Sequence, residues 1–302
     1  SSIGFIEPLT KIPYFLYVLK QTKKVIKKKA MDVVIIIDHQ GFNIPLAKWC
    51  KKNNIHIISF IAPQFWMWGN KKAAKKFVNY CSHIFCIFER EFEYYQRIAP
   101  TKVTRVDHPL LSMLPNRKCS TKTIVGIFPG SRKQEIDYCL PVMINVIDAL
   151  EKKYDHLEFK IAIASNKIQK LIKKHLNGRN LELENDARKL ICEAKCSLVA
   201  SGTVSLEHAI IGTPCVAIYK LSQISYFIAS KLVLKKLRKS CFGFIALPNI
   251  LAETKVCPEF LQSKVTVANI EPALQKLLFN SHEYETVISG VKSIQSKLTV
   301  NR

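Results

Sequence analysis

A chain of 302 residues, 48% of them apolar, is long enough for two ordinary domains with ample cores. Its 46 Lys plus Arg face only 23 Asp plus Glu, and a net charge of +23 calls for an anionic partner: nucleic acid, an acidic membrane or a phosphorylated substrate. No apolar run approaches the ~18 to 20 residues of a membrane-spanning helix.

The ten cysteines stand at irregular spacings. Neither Cys81 with Cys86 nor Cys192 with Cys196 makes the C-x2-C pair of a zinc site. Cys50, Cys86, Cys196 and Cys215 sit among apolar neighbours, as reduced, buried thiols do. The chain begins at Ser1, without a start methionine, and is expected to be part of a longer protein.

Pro13 to Lys29 has helical periodicity, with Phe15, Val18, Leu19, Val25 and Ile26 near one face and lysine on the other. Such a helix either packs on a core or lies on a membrane surface. Val33 to Ile37 is an unbroken β-branched run, the pattern of a central parallel strand covered on both faces. It ends at Asp38. A helix over Pro45 to Asn53 and a strand over Ile55 to Ile61 follow. Two βα units with short loops predict a doubly wound sheet, whose ligands sit beyond the strand C-terminal ends.

Asp38 lies at such an end, and so does the aromatic loop Pro63 to Gly69. A carboxylate there is a general base, a helix cap or a solvated acid. Of Trp66 and Trp68 in that loop, at least one is expected to face a ligand or lipid. Ile84 to Phe88 and Thr101 to Val106 read as further strands, with an acid-rich helix start at Glu89 between them. The second strand leads to Asp107-His108-Pro109, where the proline holds His108 extended. The polar, aperiodic stretch Asn116 to Thr121 reads as an interdomain linker.

The second half repeats the alternation. Ile124 to Phe128 is a buried-strand pattern stopped by Pro129 and Gly130. Ser131 with Gln134 makes a capping-box pattern for a helix from Lys133 to Tyr154. Gly130 lets the backbone approach a ligand, helix-end amides attract anions, and Arg132 adds a fork for phosphate. The plain alternative is a βα turn with a solvated arginine.

Strands near Phe159 to Ala164 and Leu181 to Glu184 lead to a second small-residue turn, Ser201-Gly202-Thr203, after the apolar run ending at Ala200. Thr203 and Glu207 share a helix face, which suits ribose hydroxyls, or else Glu207 is a buried helper acid. Two phosphate-type turns in one domain favour a nucleotide. Pro214 to Tyr219 reads as a strand, Leu221 to Lys239 as a helix with a basic end, and Phe244 to Leu247 leads into a strand-end loop at Pro248-Asn249. Tyr284 to Leu298 is a closing amphipathic helix.

In joint order and spacing these motifs resemble the lipid-A-disaccharide synthase family. The resemblance rests on Ile37-Asp38 with Gly41-Phe42-Asn43, Ala62-Pro63-Gln64-Phe65-Trp66-Met67-Trp68 and His108-Pro109. It continues with Phe128-Pro129-Gly130-Ser131-Arg132-Lys133-Gln134-Glu135-Ile136 and Ala200-Ser201-Gly202-Thr203 through Glu207. Leu247-Pro248-Asn249-Ile250-Leu251-Ala252 and Pro258-Glu259-Phe260-Leu261-Gln262 complete it.

The resemblance implies an α/β chain of the GT-B type: two Rossmann-like, doubly wound parallel-sheet domains facing a cleft. The expected bounds are 1–118 for an incomplete acceptor-side domain and 119–283 for the UDP-sugar domain. The closing helix, 284–302, is expected to pack back on the first. The implied reaction moves a 2,3-diacylglucosamine unit from UDP to 2,3-diacylglucosamine 1-phosphate, inverting it and releasing UDP, without cofactor or metal. Asp38 matches the proposed general base. Gly130, Ser131, Arg132, Ser201, Gly202, Thr203, Glu207 and Asn249 match UDP-binding positions, and Asn43, Trp66, Trp68 and His108 the acceptor or membrane side. An anionic membrane surface and a homodimer are the implied partners, at the cytoplasmic face of the inner membrane, with no nucleic acid.

The sequence departs from the family pattern. The first strand and a Gly-Glu-x-Ser-Gly-Asp loop should precede Ser1. Gln40 replaces a usual proline, Asp107 a glycine, and Glu253-Thr254 a Gly-Arg pair. The rival readings are another GT-B enzyme acting on a UDP-sugar, such as an epimerase, an inactive relic that docks on membranes, and a nucleic-acid binder. Against the last, the basic residues are scattered over separate segments and no RNA-binding motif appears.

Overall fold

The computed structural model describes residues 12–68, 70–115, 117, 122–200, 202–222 and 242–300. They form two compact units, one of residues 12–109 and 297–300, the other of residues 110–222 and 242–296.

The first unit carries helices α1 (Ile12–Lys28), α2 (Gln40–Lys52), α3 (Phe65–Trp68), α4 (Lys71–Tyr80) and α5 (Glu89–Gln96). Its strands are β1 (Val33–Ile37), β2 (His56–Phe60), β3 (His83–Cys86) and β4 (Val103–Arg105), paired in parallel in the order β1-β2-β3-β4. Ala47, Cys50, Ile57, Phe77, Ile84 and Tyr95 fill the core under the sheet. The Tyr95 hydroxyl donates to Pro63 O at 2.5 Å and so ties the loop after β2 to α5.

Among the described residues the β-branched run lies at the end of the sheet order, not at its centre. β1 is an edge, paired only with β2 among the described residues. Ile36 is buried, but Val33, Ile35 and Ile37 stand 47%, 63% and 59% exposed on one face. Composition records what could cover a strand, and pairing order decides what does. On α1, Leu19 and Ile26 are buried while Ile12, Tyr14, Leu16 and Tyr17 are exposed.

In the second unit the helices are α6 (Leu110–Met113), α7 (Lys133–Glu151), α8 (Asn166–Leu176), α9 (Ala187–Glu193), α10 (Thr203–Ile211), α11 (Leu247–Ala252), α12 (Val267–Phe279) and α13 (Ser281–Leu298). The strands are β5 (Ile124–Phe128), β6 (Glu158–Ala162), β7 (Glu182–Glu184), β8 (Cys196–Ala200), β9 (Cys215–Tyr219) and β10 (Glu259–Leu261). All pair in parallel, in the order β10-β9-β8-β5-β6-β7. Every residue of β5 and β8 is buried, as a sheet covered on both faces requires. On α7, Ile136, Cys139, Leu140, Met143, Ile147 and Leu150 recur at helical spacing and are buried. The winding reverses between β5 and β8, and ligands of open α/β sheets bind at such a reversal.

Phe244 to Leu247 makes no strand. Leu247 opens α11, with Pro248 in its first turn, where a missing N–H costs nothing. The expected linker at 116 and 118–121, and the expected basic helix at 223–239, lie outside the described residues. Arg117 is described: Nη1 donates to Gly212 O at 3.0 Å, and Nη2 reaches Ala194 O and Lys195 O. Eight described cysteines are free thiols and all are buried.

Helix α13 packs for most of its length in the second unit. A Cβ at Gly290 would stand 2.7 Å from Val256 Cγ1, so only glycine permits that approach. Its end belongs to the first unit, where Arg105 Nη2 donates to Lys297 O at 2.6 Å and His108 N to Leu298 O at 3.1 Å. The unusual Asp107 accepts from Val300 N at 2.6 Å, so its carboxylate ties down the chain end.

Candidate functional site

Parallel pairing of β5 with β8 sets Phe128 against Val199, so the turns after the two strands emerge side by side. They open into one pocket of about 240 Å³. Gly130, Ser131, Arg132 and Glu135 line it from the first turn, and Gly202, Thr203, Val204 and Glu207 from the second. Ala162 at the end of β6, Ile163 and Ala164 just beyond it, and Ala187 of α9 line the wall as well. Ser201 lies outside the described residues.

The first turn is not capped as its sequence pattern suggests. Helix α7 begins at Lys133, its N-cap is Arg132, and the capping acid is Glu135 rather than Gln134. Glu135 Oε2 accepts from Ser131 N at 2.8 Å and Arg132 N at 3.2 Å, while Oε1 holds Arg132 Nη1 at 2.6 Å. Ser131 and Gln134 fit the short cap motif, but the chain turns one residue later, and the motif shifts with it.

The second turn is built differently. Gly202 is the N-cap of α10, and among the described residues no side chain caps the helix. Its end presents the amides and partial positive charge that anions favour. Glu207, one turn in, is half-buried, and that burial raises its pKa, with the charge of Arg188 opposing. Behind it His208 is fully buried, its ring edge-on to Phe128 at 4.7 Å. Burial pushes the His208 pKa down to about 4, so the ring is neutral near pH 7, with Nδ1 hydrogen-bonded to Val204 O at 2.7 Å.

Asn249 does not line this pocket. It is fully buried, with Oδ1 accepting from Val256 N at 2.8 Å and Cys257 N at 2.9 Å. Its Nδ2 donates to Cys257 O at 2.9 Å and Glu259 Oε2 at 3.1 Å. Glu259 Oε2 also accepts from Ala246 N at 2.9 Å, next to the start of α11. Glu253 ends α11 with φ +61, a left-handed conformation that glycine adopts most readily.

In the first unit Asp38 follows β1 with φ +46, and His39 follows with φ +42. Asn43 Nδ2 holds this turn by donating to Asp38 O at 2.6 Å and Ile37 O at 2.9 Å. Gln40 takes the first position of α2, where the family's proline would also fit. The aromatic loop is a helical turn, α3, and not an extended segment. Phe65 and Met67 are buried, while Trp66 is half-buried with the Arg90 guanidinium 5.9 Å from its ring. The Trp68 side chain lies outside the described residues. His108 is buried against Phe88, ring centres 5.5 Å apart, and burial lowers its pKa.

Sequence reasoning missed a buried acid, Glu91, at the start of α5. Its Oε2 accepts from Ile87 N at 2.9 Å. Burial raises its pKa to about 8, against the lowering effect of the Ile87 and Phe88 amides, and the charge of Asp38 adds to the rise. An acid in the first turn of a helix looks like dipole complementation from sequence, and only the packing shows it enclosed. Among the described residues no cluster of His, Cys, Asp and Glu could hold a metal ion.

Residues 1–301 match the lipid-A-disaccharide synthetase (LpxB) family. The chain belongs to that family. A lipid-A-disaccharide synthase of Sulfurihydrogenibium sp. (strain YO3AOP1) is 31% identical, across 99% of this chain and 81% of the relative. That of Aquifex aeolicus (strain VF5) is also 31% identical, across 100% of this chain and 83% of the relative. Family membership places the chain in lipid A biosynthesis. The fold is also that of solved GT-B proteins. The UDP-GlcNAc 2-epimerase from Neisseria meningitidis bound to UDP-GlcNAc has a TM-score of 0.59 at 12% identity, over 94% of this chain and 78% of that one. The calicheamicin glycosyltransferase CalG4 has a TM-score of 0.59 at 12% identity, over 96% and 77%. Among the described residues no helix is long and apolar enough to cross a membrane.

Proposed function

We propose that this chain joins UDP-2,3-diacylglucosamine to 2,3-diacylglucosamine 1-phosphate, giving the lipid A disaccharide 1-phosphate and UDP with inversion. The observation that carries the reading is the shared pocket at the β5–β8 reversal, in a chain of the lipid-A-disaccharide synthetase family.

In this reading the diphosphate lies against Arg132 and the start of α10, at Gly202 and Thr203, with Ser131 and Ser201 beside it. Glu207 takes the ribose hydroxyls. Helix-end amides and a fixed guanidinium stabilise the charge that builds on the departing diphosphate, without reorganising as it forms. Asp38 removes the proton from the attacking 6-hydroxyl, within hydrogen-bond reach directly or through one water. Asn43, Trp66, Trp68 and His108 serve the acceptor side, and Asn249 supports the UDP loop from behind.

Acylated substrates reside in a membrane leaflet. The exposed Ile12, Tyr14, Leu16 and Tyr17 on a lysine-rich helix, and the net charge of +23, support a chain that works on an anionic membrane surface.

The test is UDP release and disaccharide formation from the acylated substrates on vesicles with anionic lipid. Calorimetry with UDP on wild type and Arg132→Ala accompanies it. Disaccharide formation, with UDP held at least about tenfold more weakly by the variant, supports the reading. UDP bound equally well by both proteins would remove the nucleotide from this pocket.

A further inference from the structure

The first turn of the pocket already holds an anion, and that anion is part of the chain. Glu135 sits at the bottom of the turn, 9% exposed. A carboxylate so enclosed needs donors, and it has three: the amides of Ser131 and Arg132 and the guanidinium of Arg132. The backbone is shaped around it. Gly130 has φ +103, and a Cβ there would stand 2.7 Å from Glu135 Cβ and closer still to Oε2. Glycine at this position therefore makes room for Glu135.

We infer that Glu135 is a positioning residue for the diphosphate site. It takes the two loop amides itself and pins Arg132 at the pocket wall, so that the diphosphate is read by Arg132 and the uncapped start of α10 and not by the Ser131 and Arg132 amides. The inference rests on the UDP reading of the pocket. Three observations meet here. Glu135 and Arg132 line the same pocket. Their contact is short, at 2.6 Å, and both loop amides turn inward to the carboxylate. On the facing turn the N-cap of α10 is Gly202, and among the described residues no side chain competes for its amides. The Glu135 carboxylate also offsets the charge of Arg132, so the pair offers an aimed set of donors rather than a bare cation. A product that must leave after each turnover is better served by such a pair.

The experiment is calorimetry with UDP and with uridine on wild type, Arg132→Ala, Glu135→Gln and the double variant. Thermal unfolding is followed on each. Glutamine at this position still caps the helix through its amide oxygen, so Glu135→Gln keeps the fold while losing the charge that pins Arg132. The expected result is about tenfold weaker UDP binding by Glu135→Gln, with uridine unchanged. The double variant should be no weaker than Arg132→Ala alone, because the two residues act as one unit. UDP binding by Glu135→Gln equal to or tighter than wild type, with Arg132→Ala still weakened, overturns the inference and leaves the nucleotide reading intact. Additive losses in the double variant overturn it as well. Failure of the wild type to bind UDP overturns both.

Discussion

Asn43 holds Asp38 in place from five residues along the chain. Its side-chain amide donates to the Asp38 carbonyl at 2.6 Å and to that of Ile37 at 2.9 Å. This bond spans a turn in which two consecutive non-glycine residues, Asp38 and His39, are left-handed. Such backbone persists only where its surroundings enforce it, and it costs of order 1–3 kcal/mol per residue. Asn43→Ala removes the enforcement. The expected outcome is a loss of about 1–3 kcal/mol of stability in urea and a large fall in turnover, with UDP affinity unchanged. Normal turnover in a folded Asn43→Ala protein would show that the turn has no catalytic importance.

Asp38→Asn tests the base itself. Asparagine keeps size and polarity but cannot accept the proton. Turnover should fall by about 100-fold or more, the usual worth of a positioned base, while the UDP dissociation constant barely moves. A parallel loss of UDP affinity would place Asp38 in binding instead.

Much of this is legible in the sequence. The strand–turn–helix units around Gly130 and Gly202 followed from short apolar runs stopped by small residues, and pairing order brings them together. What was illegible depended on neighbours distant in sequence. Val33 to Ile37 carries the residues of a central strand, yet among the described residues strand order leaves it at an edge. Ser131 and Gln134 have the spacing of a cap, but a one-residue shift in helix start hands the task to Glu135. Asn249 stands in a ligand-like motif, and only burial shows that its amide is used within its own loop. Enclosure of Glu91 could not be read from its place among the acids of α5.

Glu91 gives the first unit a pH dependence of stability. Its pKa is about 8 when folded, against an ordinary carboxylate value of 4.5. Between those values the folded protein keeps a proton that the unfolded chain releases. Stability from this group is therefore fully present below about pH 4.5 and is lost as pH rises toward 8. Glu91→Gln, which cannot ionise, should flatten that fall. Unfolding free energies measured by urea at intervals from pH 5 to about 8.5 check it, as the difference between variant and wild type. A difference constant across the range would mean that Glu91 is ionised in the folded protein.

Asn249→Ala separates a support role from a contact role. The side chain is fully buried and makes three bonds through its oxygen, from Val256 N, Cys257 N and Cys257 Sγ, and two through its nitrogen, all to the 256–259 segment. Alanine leaves the amides of Val256 and Cys257 buried without their acceptor and takes a donor from Glu259. Each stranded group costs about 1–3 kcal/mol, so the variant should lose several kcal/mol in urea unfolding. UDP binding by the protein that remains folded should change little. If Asn249 instead touches the nucleotide, the pattern inverts: stability holds and UDP affinity drops tenfold or more, at about 1.4 kcal/mol per decade. Unfolding curves and UDP titrations on the same preparation decide between the two, because a residue whose hydrogen bonds all stay inside its own loop weakens the fold first.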